Sequence, residues 1–153
     1  MGSGGEGGAV TRDEALATAL FAALSAVPGP TLRRGGALTE DIGPEGLVNM
    51  VDGAPQELEE RLGGAREMAV EHEIEIGVAV ADDTARAAAL DALVAALAAA
   101  VLADAPLAAL ADHVRVHPLR DRADIGQPGA AAIRTATLPV ELLYETGVNP
   151  LEA

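Results

Sequence analysis

The chain has 153 residues, a formal net charge of −14, no cysteine and no lysine. Without cysteine there are no disulfides, thiolate metal sites or thiol nucleophiles, and so acidic a surface disfavours tight binding to phosphate backbones or anionic lipid headgroups. A chain of this length buries roughly two-thirds of its unfolded surface and folds as one domain without staples; with only Phe21 and Tyr144 aromatic, its core must be built from Leu, Val, Ile and small side chains.

Residues 1–10 are Gly-rich and polar, which predicts a flexible tail. They lack the basic segment and apolar run of a signal peptide. Thr11 and Glu14 have the spacing of a capping box, in which hydroxyl and carboxylate each satisfy a free amide at a helix start. Leu16, Leu20, Leu24 and Val27 follow as one apolar stripe, and Pro28-Gly29-Pro30 ends the helix. Between Thr31 and Gly46 glycines punctuate the chain; a short strand is expected at Leu32 to Arg34, then an acidic loop. Leu47 to Asp52 reads as a strand. Gly53 to Gly64 reads as an exposed polar connection carrying Glu57, Glu59 and Glu60.

The strongest strand pattern runs from Arg66 to Ala81. Met68, Val70, His72, Ile74, Ile76, Val78 and Val80 occupy every second position, and Glu71, Glu73 and Glu75 fill the alternate ones. Such alternation predicts one buried and one acidic face, as in an antiparallel sheet wet on one side. Asp82-Asp83 then supplies an N-cap and negative charge at the positive end of a helix dipole. Leu90, Leu93, Val94, Leu97 and Val101 make that helix's apolar stripe. The stretch Leu90 to Leu102, interrupted by Asp91 and rich in Ala, is expected to be too short and too weakly apolar to span a membrane, so a soluble protein without a membrane partner is predicted. A helical turn at Pro106 to Ala111, a strand at His113 to Leu119, a charged turn at Arg120 to Gly129 and a long strand at Ala131 to Thr146 follow. Residues 148–153 form a second tail, leaving a single domain over 11–147. The predicted fold class is α+β: a mainly antiparallel sheet of four to five strands with two main helices packed on one face.

Catalytic patterns are poorly supported. A P-loop needs a lysine, and Gly63-Gly64 lies in no strand–GxGxxG–helix context. The serines are Ser3, in the tail, and Ser25, within a helix and outside any nucleophile elbow. His113 and His117, four apart on a strand, stand roughly 13 Å from one another, beyond the reach of one zinc ion. His72 is expected to be a hydrogen-bonded core or interface histidine. The glutamates read as a solvated stripe rather than a paired acid and base, since no apolar pocket is evident to raise a pKa. No catalytic residue, metal or cofactor is therefore expected.

Four segments carry a family likeness: Asp13-Glu14-Ala15-Leu16 through Val27-Pro28-Gly29, His72-Glu73-Ile74-Glu75-Ile76-Gly77-Val78, the helix beginning Asp82-Asp83-Thr84, and Ala132-Ile133 through Tyr144-Glu145-Thr146. In order and spacing they resemble the tail-terminator family, the U-type minor tail proteins of long-tailed phages and gene-transfer particles, over residues 11–147. The acidic loop from Gly36 to Gly46 and the scarcity of aromatics depart from that pattern. The resemblance implies a non-enzymatic virion subunit at the tail–neck junction, assembled in the host cytoplasm. It implies a homo-oligomeric ring, usually a hexamer, that caps the tail-tube protein, ends its polymerisation and receives the head connector or stopper protein. DNA would pass through the lumen without specific binding. Glu71, Glu73, Glu75, Arg33, Arg34, Glu59 and Glu60 are the candidates for lumen or subunit interface under this reading. The alternatives are another neck component (a head-completion or stopper protein), a small ligand-binding α+β domain, and an adaptor that binds one partner by strand addition.

Overall fold

The computed structural model describes residues 10–36 and 42–147. Residues 1–9 of the tail expected at 1–10, the tail expected at 148–153, and residues 37–41 of the acidic loop lie outside the described residues. In chain order the elements are α1 (Arg12–Leu24), β1 (Thr31–Arg34), β2 (Leu47–Val51), β3 (Gln56–Glu60), β4 (Arg66–Ala79), α2 (Asp83–Ala103), α3 (Ala105–Leu110), β5 (His113–Val116), β6 (Arg120–Gln127) and β7 (Ala130–Thr146).

The class is α+β, but the expected four to five strands need correction: the described residues form seven, with α3 at the helical turn expected from Pro106 to Ala111 beside the two main helices. The two unforeseen strands are β3, read from sequence as a polar connection, and β6, read as a charged turn. Neither buries one face, so neither carries the alternation by which a half-buried strand is recognised.

The spine of the sheet is the antiparallel pair β4 and β7, in unbroken register from Arg66↔Thr146 to Ala79↔Ile133. On the far side of β4, β2 pairs with Glu73–Gly77 and β3 with Arg66–Ala69. β1 then adds parallel to β2. On the far side of β7, β5 pairs with Val140–Leu143 and β6 with the segment from Ala130 to Thr137. β5 ends before Pro118, whose missing N–H cannot extend a ladder.

All three helices cover one face, called inner here. There Met68, Val70, Ile74, Ile76 and Val78 of β4 meet Ala136, Leu138, Val140, Leu142 and Tyr144 of β7, all buried. Leu16, Leu20 and Leu24 of α1, Leu90, Leu93, Leu97 and Val101 of α2, and Leu107 of α3 close over them. Each leucine so enclosed contributes about 1.5–3 kcal/mol relative to exposure. A smaller cluster, Ile42, Leu47, Ala79 and Ile133, forms separately.

The helix caps follow the sequence in part. Thr11 Oγ1 accepts from the Glu14 amide at 3.0 Å, and Asp82 and Asp104 cap α2 and α3 in the same manner. The Glu14 carboxylate, expected to complete a capping box, instead accepts from Thr18 and from Arg34 of β1. A guanidinium is a stronger donor than a neutral amide, which is why the tertiary contact wins. The reading of α2 is also corrected. At 21 residues and mean hydropathy 1.9 it is long and apolar enough to cross a membrane by length and composition. In the fold it lies along the sheet with its leucine stripe buried and its alanine face outward.

Candidate functional site

The outer face of the sheet collects carboxylates. β4 places Glu71 directly opposite Glu141 of β7, and Glu67 opposite Glu145; Glu73 and Glu75 continue the β4 row. Like charges facing one another across a ladder are destabilising, and the surrounding side chains offset this. Arg120 donates to both Glu71 (2.9 Å) and Glu73 (2.6 Å). Arg61 lies 2.7 Å from Glu67 and 3.3 Å from Glu145. His117 Nε2 is 3.1 Å from Glu141, and buried Asn49 donates to Glu75 at 2.9 Å. The expected solvated stripe is therefore an acidic face cross-linked from the neighbouring strands, with Glu71 and Glu73 still 41% and 43% exposed.

The two strands missed from sequence flank this face diagonally. β3 is exposed along its whole length, and β6 from Arg120 to Gly126. Among the described residues no strand pairs the outer edge of either one. They present apolar side chains to solvent: Leu58 and Ile125 are 51% and 48% exposed, and Leu62, in the turn after β3, is fully so. Of the candidate residues, Glu59 and Glu60 lie on β3, opposite Glu67 and Arg66.

Arg34 belongs elsewhere. It bridges Glu14 of α1 at 2.8 Å and Asp52 after β2 at 2.7 Å, tying the first helix to the sheet edge. Hydrogen bonding from Arg34, then Thr18, holds the Glu14 carboxyl below its ordinary range. Arg33 is opposite Asn49 in the ladder, one residue along and so on the other face. The structure thus gathers Glu71, Glu73 and Glu75 on one surface, sets Glu59 and Glu60 at a corner, and assigns Arg34 to internal bracing.

His72, expected from the sequence as a hydrogen-bonded core or interface histidine, lies in the core, and Asp13 of α1, which the sequence did not point to, faces it. His72 is wholly inaccessible, and its Nδ1 accepts from the Gly53 amide at 3.1 Å. Gly53 is required there: a Cβ would fall 1.9 Å from the Glu71 carbonyl oxygen. With Nδ1 accepting, neutral His72 carries its proton on Nε2, which is buried without a partner, as is Asp13 Oδ1. Burial pushes the Asp13 carboxyl up and the His72 imidazole down; the charge of His72 opposes the first shift, and those of Asp52 and Asp13 oppose the second. The Tyr144 phenol is pushed up to about 12, first by burial and then by the Asp13 charge. Asp13 escaped sequence reading because a first-turn carboxylate on a helix gives no sign that it faces a histidine 59 positions on.

Two clefts open to solvent beside these groups. One of about 380 Å³ is lined by Ala54, Gln56, Ala69, Glu71 and Glu141 on the acidic face. Another, of about 430 Å³, lies beside the Glu14–Arg34–Asp52 brace. Among the described residues no group of three or more His, Asp or Glu side chains is arranged to hold a metal ion. No protein-family model matches the chain, and no curated protein matches it.

Proposed function

We propose that the protein is a structural virion subunit of the tail-terminator kind, a non-enzymatic protein that self-associates into a ring, caps the tail tube and offers the head-side docking surface. One observation carries this reading: the sheet outgrows its helical cover. β3 and β6 are hydrogen-bonded strands with both faces wet, and among the described residues no strand pairs their outer edges. Open edges and exposed leucines invite pairing with another chain, and natural proteins blunt them or use them. Neither strand contains proline or lysine, and their charged side chains and register shifts leave Leu58 and Ile125 exposed. A head-to-tail contact that closes gives a ring. The acidic face of Glu67, Glu71, Glu73, Glu75, Glu141 and Glu145, turned toward a lumen, would repel a phosphate backbone and let DNA pass without sticking.

A small ligand-binding domain is the second reading, favoured by the Asp13–His72 pair. Against it, His72 is completely closed off, and neither Asp13 nor His72 lines the two clefts described above. The deciding experiment measures mass across a range of concentrations, with and without the cognate tube protein. The expected result is a ring bound at one end of tubes that stop growing. A protein that stays monomeric and leaves tube length unchanged would refute the capping role.

A further inference from the structure

An open strand edge that repels its own kind calls for a partner of another composition. We infer that the outer edge of β3 takes up an extended segment of a different chain by strand addition, and that this segment carries adjacent basic residues flanked by apolar ones. Placing that chain on the tube or connector side of the particle rests on the capping reading above.

Gln56–Glu60 is bonded to β4 on one side, exposed at every residue, and paired by no strand on its outer side among the described residues. The amides and carbonyls of such an edge bond an added strand, and side chains beside it select which one. The ladder shifts between Glu57 and Glu59; Leu58, at that point, is 51% exposed, and Leu62 in the following turn is fully so. Glu57 is paired with Arg66, while Glu59 and Glu60 make no ion pair among the described residues. Glu59 stands opposite Glu67 on the acidic face, and Glu60 opposite Arg66 on the other face. An added strand therefore meets one uncompensated carboxylate on each face at successive positions. Two adjacent basic residues answer both, and apolar residues next to them cover Leu58.

A second copy does not supply that segment. β3 laid against β3 sets carboxylates against carboxylates, which is destabilising. The chain's own arginines are largely engaged: seven of the ten are in ion pairs, Arg12 donates to the Leu110 carbonyl, and Arg33 has a partner as well. Arg122 alone has none among the described residues. Its strand, β6, is level with the Ala130–Thr137 end of β7, whereas β3 is level with the Leu143–Thr146 end. Copies set side by side about an axis parallel to the strands keep Arg122 and Glu59 roughly 30 Å apart along that axis. The carboxylates of β3 thus reject its own copies and admit a cationic strand, which is selection by repulsion.

The probe is a fluorescent, end-blocked peptide, Thr-Val-Arg-Arg-Val-Thr, whose palindromic order suits either strand direction; its binding to the full chain is read by anisotropy at low ionic strength. E59Q with E60Q is expected to weaken binding about threefold to tenfold, as two exposed ion pairs are lost. D91N with D112N, which removes the same charge from exposed sites off this edge, should weaken it by no more than about twofold. Methylating both arginine amide nitrogens of the peptide keeps its charge but removes a ladder donor on either edge, and should cost about tenfold. Bound peptide should also slow amide exchange within Gln56–Glu60. If the peptide does not bind, if the methylated form binds equally well, or if the two double variants weaken binding alike, the inference is overturned, and the ring reading still stands or falls by its mass measurement. A monomer that never caps tubes removes the ring reading and the partner's place in the particle, while edge-specific peptide binding would survive it.

Discussion

β7 and β6 are hydrogen-bonded neighbours in one sheet, yet they live in opposite environments. Leu138, Val140 and Leu142 of β7 are sealed beneath α1, α2 and α3, whereas β6 is exposed from Arg120 to Gly126. The same contrast holds between β4 and β3 on the other flank. Backbone hydrogen bonds alone contribute little net stability because water competes for the same groups. The spine holds through apolar burial, and the outer strands are held mainly by the edge they lean on. What stabilises the monomer and what remains available to partners are therefore spatially separate.

Three measurements would break or sharpen that contrast. The largest effect is expected in the spine: Leu97→Ala, at a position with no solvent exposure, should cost about 2–5 kcal/mol in denaturant unfolding, since it removes buried methyl groups and leaves a cavity. A loss near that expected for a surface residue would mean that α2 is not packed as described.

An intermediate effect is expected from pH. His72 is buried neutral, with its pKa below the ordinary 6.5. The unfolded chain takes up a proton near pH 6.5 that the folded chain refuses. Stability present above that pH is therefore lost as pH falls through it toward the folded value. Asp13 acts in the opposite sense at lower pH: its raised pKa lets the folded chain bind a proton first, so stability is regained as pH falls toward 3.8. Asp52 and Glu14 also face this pair, opposing the His72 shift and adding to that of Asp13, while Arg34 does the reverse. In the variant His72→Gln, whose amide oxygen can still accept from Gly53, urea midpoints at pH 7.5, 6.5 and 5.5 should lose the wild-type slope. A slope that persists unchanged would place the titration elsewhere.

The smallest effect on the monomer belongs to the outer strands. Leu58→Ser and Ile125→Ser should change unfolding free energy by no more than about 0.5 kcal/mol while weakening association with partner chains, read by sedimentation. A large loss of monomer stability would show that these strands are part of the core after all.

Much of the fold was legible because apolar period reports one-sided burial. The alternation from Met68 to Val78 placed β4 and its faces, Leu90 to Val101 placed the buried stripe of α2, and Asp82 marked its start. Of the candidate site, the shared face of Glu71, Glu73 and Glu75 followed from the same parity. The partners of those glutamates did not, because Arg120 reaches Glu71 across 49 residues and the local pattern of Arg120-Asp121-Arg122 suggests only a turn.

The amino-acid order by itself determined the spine strands, the helices and the acidity of one face, since each depends on neighbours within a few residues. Tertiary structure alone decided that Gln56–Glu60 and Arg120–Gln127 become strands, that Arg34 braces α1, and that Asp13 in the first turn of α1 faces His72. A strand wet on both faces has no period to read. It exists because a preformed edge of β4 or β7 satisfies its amides and carbonyls, and that edge is built from a distant part of the chain.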